Sequence, residues 1–113
     1  MNKLYKGFGL GRNIIGEYDE RYIYEGWGLG SQRIGEYYSG NIYNDVGFGS
    51  NRVGEYGSGY IYGGYGLGKI IIGEYDNEYI YRGYGLGKVI IGSFDGNSEG
   101  AAAAALLLLF DYM

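Results

Sequence analysis

The chain has no cysteine, no proline and no histidine, and each absence closes off some chemistry. Without cysteine there are no disulfides, no thiolate metal sites and no thiol nucleophile, and the redox compartment stays open because a chain without thiols is indifferent to it. Without histidine there is no imidazole base and no Ser-His or Cys-His pair, so the commonest routes to hydrolysis near neutral pH are missing. Without proline, one of the usual means of blunting a strand edge is missing. Charge of one sign never gathers along the sequence: nine Lys and Arg are interspersed with thirteen Asp and Glu, which offers no footprint for a phosphate backbone, and nucleic acid is not an expected partner. The longest apolar run, residues 101–110, has ten residues, where a bilayer-crossing helix needs about 20. Residues 1–7 hold no apolar stretch or small-residue cleavage site; no ordinary secretory signal is expected, and localisation is undetermined beyond a cytoplasmic default.

What the chain has in excess is glycine and tyrosine, 25 and 16 among 113 residues. That length suits one domain. Gly-Glu-Tyr recurs at Gly16, Gly35, Gly54 and Gly73, with Gly92-Ser93-Phe94 as a degenerate fifth copy, and every step is 19 residues. Leu4-Tyr5, Ile23-Tyr24, Ile42-Tyr43, Ile61-Tyr62 and Ile80-Tyr81 keep the same step, each followed by a Gly-x-Gly-x-Gly type run such as residues 7–11 or 45–49. A fixed period without insertions predicts stacked copies of one supersecondary unit.

Each unit reads as two short strands. The first, as in residues 69–75, is β-branched and ends in an aromatic; the second, as in residues 79–85, alternates. Alternation sets Ile80, Tyr84 and Leu86 on an apolar face and Tyr79, Tyr81 and the glycines on the other, with tyrosine rings expected to cover the bare backbone. Short turns follow, Ser39-Gly40, Ser58-Gly59 and Asp76-Asn77-Glu78 on one side and the Gly-Leu-Gly-Lys type on the other. The expected fold is therefore all-β: five 19-residue tandem repeats of two short strands each, as an antiparallel meander or a β-solenoid-like stack. Glu17, Glu36, Glu55 and Glu74 favour the meander, because a one-coil stack would set like charges directly opposite one another.

The pattern stops after residue 96, dividing a β-repeat array (1–96) from a capping or association tail (97–113). Alanine and leucine are strong helix formers and Ser98 or Asn97 suits an N-cap, so a short buried helix closing the open end of the array is favoured, with a strand as the alternative. Residues 63–69 look like a phosphate loop, but Ile70 stands where Ser or Thr is needed and the run is a product of the repeat. The repeated glutamates lack the two different environments a catalytic carboxylate pair requires. Nothing in the sequence calls for catalytic residues, a cofactor or a metal, and an enzyme is not expected.

The Tyr-x-Gly-x-Gly units with the Ala/Leu tail resemble uncharacterised bacterial short-tandem-repeat β proteins, over residues 4–110; that resemblance implies no activity. Choline-binding wall repeats share a hairpin unit and aromatic boxes but not the Trp-rich spacing, and MORN repeats share Tyr and Gly in a longer unit. Two functions are expected from the residues. The first is a structural protein that self-assembles into a homo-oligomer or filament through open strand edges, with Leu4 and Tyr5 at one end, Val89, Ile91 and Phe94 at the other, and Ala101, Leu106, Leu107, Leu108, Leu109 and Phe110 as a clamp. The second is a non-catalytic binding module presenting Tyr22, Tyr24, Tyr43, Tyr60, Tyr62, Tyr79 and Tyr81 to glycan, cell-wall polymer or protein.

Overall fold

A computed structural model describes residues 1–44 and 50–110; the third Gly-x-Gly segment, residues 45–49, lies outside them. The chain forms ten antiparallel strands: β1 (Asn2–Lys6), β2 (Asn13–Tyr18), β3 (Tyr22–Glu25), β4 (Gln32–Tyr38), β5 (Asn41–Asn44), β6 (Asn51–Gly57), β7 (Tyr60–Gly63), β8 (Ile70–Tyr75), β9 (Tyr79–Arg82) and β10 (Val89–Phe94). Each strand pairs with its neighbours in sequence, as a meander does, and the meander closes on itself. The seam pairs Leu4 with Phe94, Tyr5 with Ser93 and Lys6 with Gly92. The solenoid alternative is replaced by this barrel, and the open edges expected at the first and last strands are paired with each other.

Closure has a local cause. A register shift interrupts β1/β2, β3/β4, β5/β6, β7/β8 and β9/β10, always beside the apolar residue that precedes the repeat tyrosine or directly across from it. Bulges sharpen bend and twist, and bends repeated at fixed spacing curl a sheet until its ends meet.

Leu4, Ile23, Ile42, Ile61 and Ile80 point inward and are wholly buried. An eight-stranded barrel is about as wide as side chains alone can fill, and ten strands leave a hollow. The tail fills it. Helix α1 (Glu99–Ala104), capped by Ser98 Oγ accepting the Ala101 N–H at 3.3 Å, continues as a π-helical turn over Ala105–Leu109. The tail is thus helical, and it runs inside the barrel where the sequence suggested a lid over an open end.

Wall and plug are complementary layer by layer. Near the start of α1 the wall is large and the plug small: Tyr18, Tyr37, Tyr75 and Phe94 share one core with Ala101 to Ala105, Tyr37 accepts a bond from Ser98 Oγ at 3.1 Å, and Tyr75 donates to Glu99 at 2.8 Å. Farther along, the wall is bare glycine and the plug is large. A Cβ on Gly73 would lie 2.5 Å from Leu106, on Gly35 2.5 Å from Leu108, on Gly16 2.9 Å from Leu109 and on Gly92 2.7 Å from Phe110, and on Gly54 it would collide with Leu107. One step along the plug is one step around the barrel. An α-helix turns about 100° per residue, whereas five evenly spaced wall glycines call for about 72°, so the wider π-turn suits the wall better. Its i to i+5 bond runs from Phe110 N–H to the Ala105 carbonyl at 3.0 Å.

Candidate binding surface

In a closed meander, alternate turns fall at opposite ends. The turns after β2, β4, β6 and β8 form one end, where Ser39 and Ser58 adopt left-handed backbone ahead of Gly40 and Gly59. The turns after β1, β3, β7 and β9 form the other, and each contains a Gly-Leu-Gly 3₁₀ turn: Gly9–Gly11, Gly28–Gly30, Gly66–Gly68 and Gly85–Gly87. Gly83 and Gly85, at φ +80° and +69°, reverse the chain twice around extended Tyr84, a path closed to most side chains.

The second strand of each unit therefore ends earlier than its alternation suggested. Ile80 is buried, but Tyr84 is 57 % exposed and Leu86 fully exposed, and the expected apolar face stops at Ile80. Leu10, Leu29, Leu67 and Leu86 all stand at 108–109 % of full exposure, with Phe8, Trp27, Tyr65 and Tyr84 about half exposed beside them. No tyrosine ring covers the turn glycines: a Cβ at Gly9, Gly11, Gly28, Gly30, Gly66, Gly68, Gly85 or Gly87 would meet nothing within 4 Å.

These tips are held at their base. Glu55 Oε2 accepts the Gly66 N–H at 2.9 Å while its Oε1 accepts Lys69 Nζ at 2.9 Å; Glu74 does the same with Gly85 and Lys88, both at 2.8 Å. Where the lysine position holds Ser31, Lys3 pairs with Glu17 at 2.6 Å, and Arg21 pairs with Glu36 at 3.0 Å. The repeated glutamates thus form a row of ion pairs, and those of Glu55 and Glu74 also clamp turns. The Gly66 N–H and Lys69 hold the Glu55 carboxyl below its usual pKa, Lys88 and then Gly85 do so for Glu74, and Lys3 does so for Glu17.

At the opposite end burial pushes the Tyr37 and Tyr75 hydroxyls up to about 12. These shifts give stability two limits. The depressed carboxylates contribute above their unfolded pKa and lose that contribution as acid protonates them, below roughly pH 4. The buried tyrosines stay protonated in the fold after they would ionise unfolded, so stability falls as pH rises from about 10 toward 12. Thermal melts across pH are expected to show a plateau with a drop at each side. Glu55→Gln with Glu74→Gln should flatten the acid limb and Tyr37→Phe the alkaline one; limbs unchanged in these variants would remove the assignment.

The structure places the residues singled out by sequence as follows. Leu4, Phe94, Ala101, Leu106 and Leu107 are buried in the barrel; Leu108, Leu109, Phe110 and Ile91 pack against its core; Tyr5 is half-buried in the β1–β10 seam; Val89 is 60 % exposed. All but Val89 and Tyr5 belong to one interior, and no free edge brings them together. Tyr22, Tyr24, Tyr43, Tyr62, Tyr79 and Tyr81 are half-buried on the outer wall and Tyr60 is more exposed. Several are engaged internally: Tyr24 donates to Asp19 at 2.8 Å, Tyr81 to Asp76 at 2.6 Å and Tyr5 to Asp95 at 2.8 Å, while Lys69 and Lys88 sit over the rings of Tyr62 and Tyr81 at 4.5 and 4.6 Å. Sequence reasoning missed the tip leucines. The signal was present in the glycines on both sides of each leucine, which mark a turn and outrank the alternation.

Among the described residues no group of three or more Asp and Glu side chains is placed to hold a metal ion, and no helix is long and apolar enough to cross a membrane. No family profile matches the chain, and no curated protein or solved structure shows significant similarity to it.

Proposed function

We propose that this chain is a non-catalytic docking module that engages a partner through its Gly-Leu-Gly turns. One observation carries the reading: at one end of a closed barrel, leucine after leucine projects fully into solvent, and the turns of Leu67 and Leu86 are clamped at their base by a carboxylate. Exposed single hydrophobes are ordinary, but a set of them at one end with aromatic neighbours marks an interaction surface. The 19-residue repeat supplies several equivalent anchors, so weak individual contacts add through effective concentration. Edge-to-edge filament growth has no matching surface, since the seam strands pair with each other and the tail is the core.

Replacing Leu29 with a photoreactive amino acid in host cells should give lipid or protein adducts on illumination, and the same replacement at Asn77, in a turn of the opposite end, should give none. Absence of adducts from position 29, or equal adducts from both positions, would remove the docking reading.

A further inference from the structure

The tips have a distinctive charge setting. Of the nine Lys and Arg, all but Lys3 and Arg21 stand on the turns or strand halves at the Gly-Leu-Gly end, whereas Asp19, Glu20, Asp76, Asp95 and Glu99 stand at the other, with Glu78 of that end sharing a cleft with Leu10. A chain with a formal charge of −4 is thus polarised along the barrel axis, and its cations share an end with its exposed leucines. Some are fixed in place: the Arg52 guanidinium lies 4.1 Å from the ring centroid of Tyr65 at a tip, and that of Arg33 lies 4.3 Å from the Tyr22 ring. Among the described residues Glu25 opposes them, as do Glu17 beside the Gly28 N–H and Glu55 and Glu74 in their lysine pairs, four carboxylates against seven cations.

The width of the molecule spreads these anchors. Ten strands spaced about 4.8 Å apart and tilted make a barrel about 15–20 Å across, while the molecule measures 39 × 38 × 21 Å. The two near-equal long axes exceed the width of such a wall, and the third dimension is thin.

Resting on the docking reading, we infer that the partner is an anionic lipid bilayer. The tip leucines enter the boundary of headgroups and acyl chains, the half-exposed Phe8, Trp27, Tyr65 and Tyr84 sit at headgroup level, and the arginines and lysines behind them meet lipid phosphates. A bilayer satisfies both properties of this end at once, an apolar interior for leucine and a negative surface for the cations. A second copy satisfies only one. Its opposite end is acidic but offers only Met1, Tyr38 and Tyr60 as exposed large apolar groups among the described residues, against four leucines with four aromatic neighbours, and its like end matches in apolarity but repels in charge. The strands have four to seven residues, against about 9–11 for a strand that spans a membrane, so the protein lies on the surface.

The test is co-sedimentation of the full chain with vesicles of phosphatidylcholine alone or with one quarter phosphatidylglycerol, at low and high salt. Binding to the anionic vesicles is expected, weakened at least tenfold by high salt and by Arg33→Gln with Arg52→Gln. It should be abolished by Leu10, Leu29, Leu67 and Leu86 all changed to Ser, positions whose exposure spares the fold, with the melting curve as control. Equal binding to neutral vesicles, or indifference to the leucine changes, would overturn the inference. So would tip-dependent oligomers without lipid, pointing to a second copy, or failure to bind vesicles while position 29 yields a protein adduct in cells. In that last case the docking reading stands and its lipid partner falls; with neither vesicle binding nor adducts, both fall.

Discussion

A chain ended at Gly96 is expected to lose its folded structure. The barrel wall turns Leu4, Ile23, Ile42, Ile61 and Ile80 inward at 0 % exposure, and ten strands enclose more space than those side chains fill. Residues 101–107 occupy that space and are themselves buried. Shortening Leu106 and Leu107 to alanine alone would cost about 2–5 kcal/mol each, and a domain of this size holds only about 5–15 kcal/mol in total. Removal of the whole plug exceeds the reserve and opens an apolar cavity to water. Circular dichroism and amide dispersion by NMR should show a disordered or aggregated chain, and a peptide of residues 97–113 added in trans should restore the dispersed spectrum. A truncated chain that melts cooperatively within a few degrees of the parent would refute the plug.

The second large effect concerns one hydrogen atom. Gly54→Ala puts a Cβ against Leu107 Cδ1 and, at 2.5 Å, against the Tyr62 carbonyl. The first neighbour is the end of a side chain and can move; the second is backbone in a paired strand and cannot. Overpacking of this kind costs about 3 kcal/mol. Gly57→Ala, three residues on in the same strand, meets nothing within 4 Å and carries no left-handed φ, and should stay within about 0.5 kcal/mol of the parent. Leu107→Ala in the Gly54→Ala background should recover part of the loss, since a shared contact makes the two changes non-additive. Equal denaturation midpoints for the alanine variants at 54 and 57 would contradict the packing of plug on wall.

Much of this was legible in the residues and some was not, for identifiable reasons. The strands around Ile-Tyr and Gly-Glu-Tyr follow from their own alternation and turn chemistry, and Ser98 as a helix cap follows from its place before an Ala/Leu run. The glycine of Gly-Glu-Tyr was not readable as a docking point, because its partner lies 33 to 93 residues away in the comparison of Gly73 with Leu106 and Gly16 with Leu109. Leu86 was read inward because period-two alternation continues formally through Tyr84, whereas the left-handed glycines break the strand before it.

By itself the sequence determined a repeating two-strand unit, and it favoured a meander over a solenoid-like stack and a helix over a strand for the apolar tail, since these depend on neighbours along the chain: side-chain period, turn residues and helix propensity. The tertiary structure alone decided that the strand count closes a ring, that the tail fills it, and that the leucines and cations share one end. Those outcomes depend on accumulated curvature and on which turns a closed meander sends to the same side, sums over the whole chain that no single segment contains.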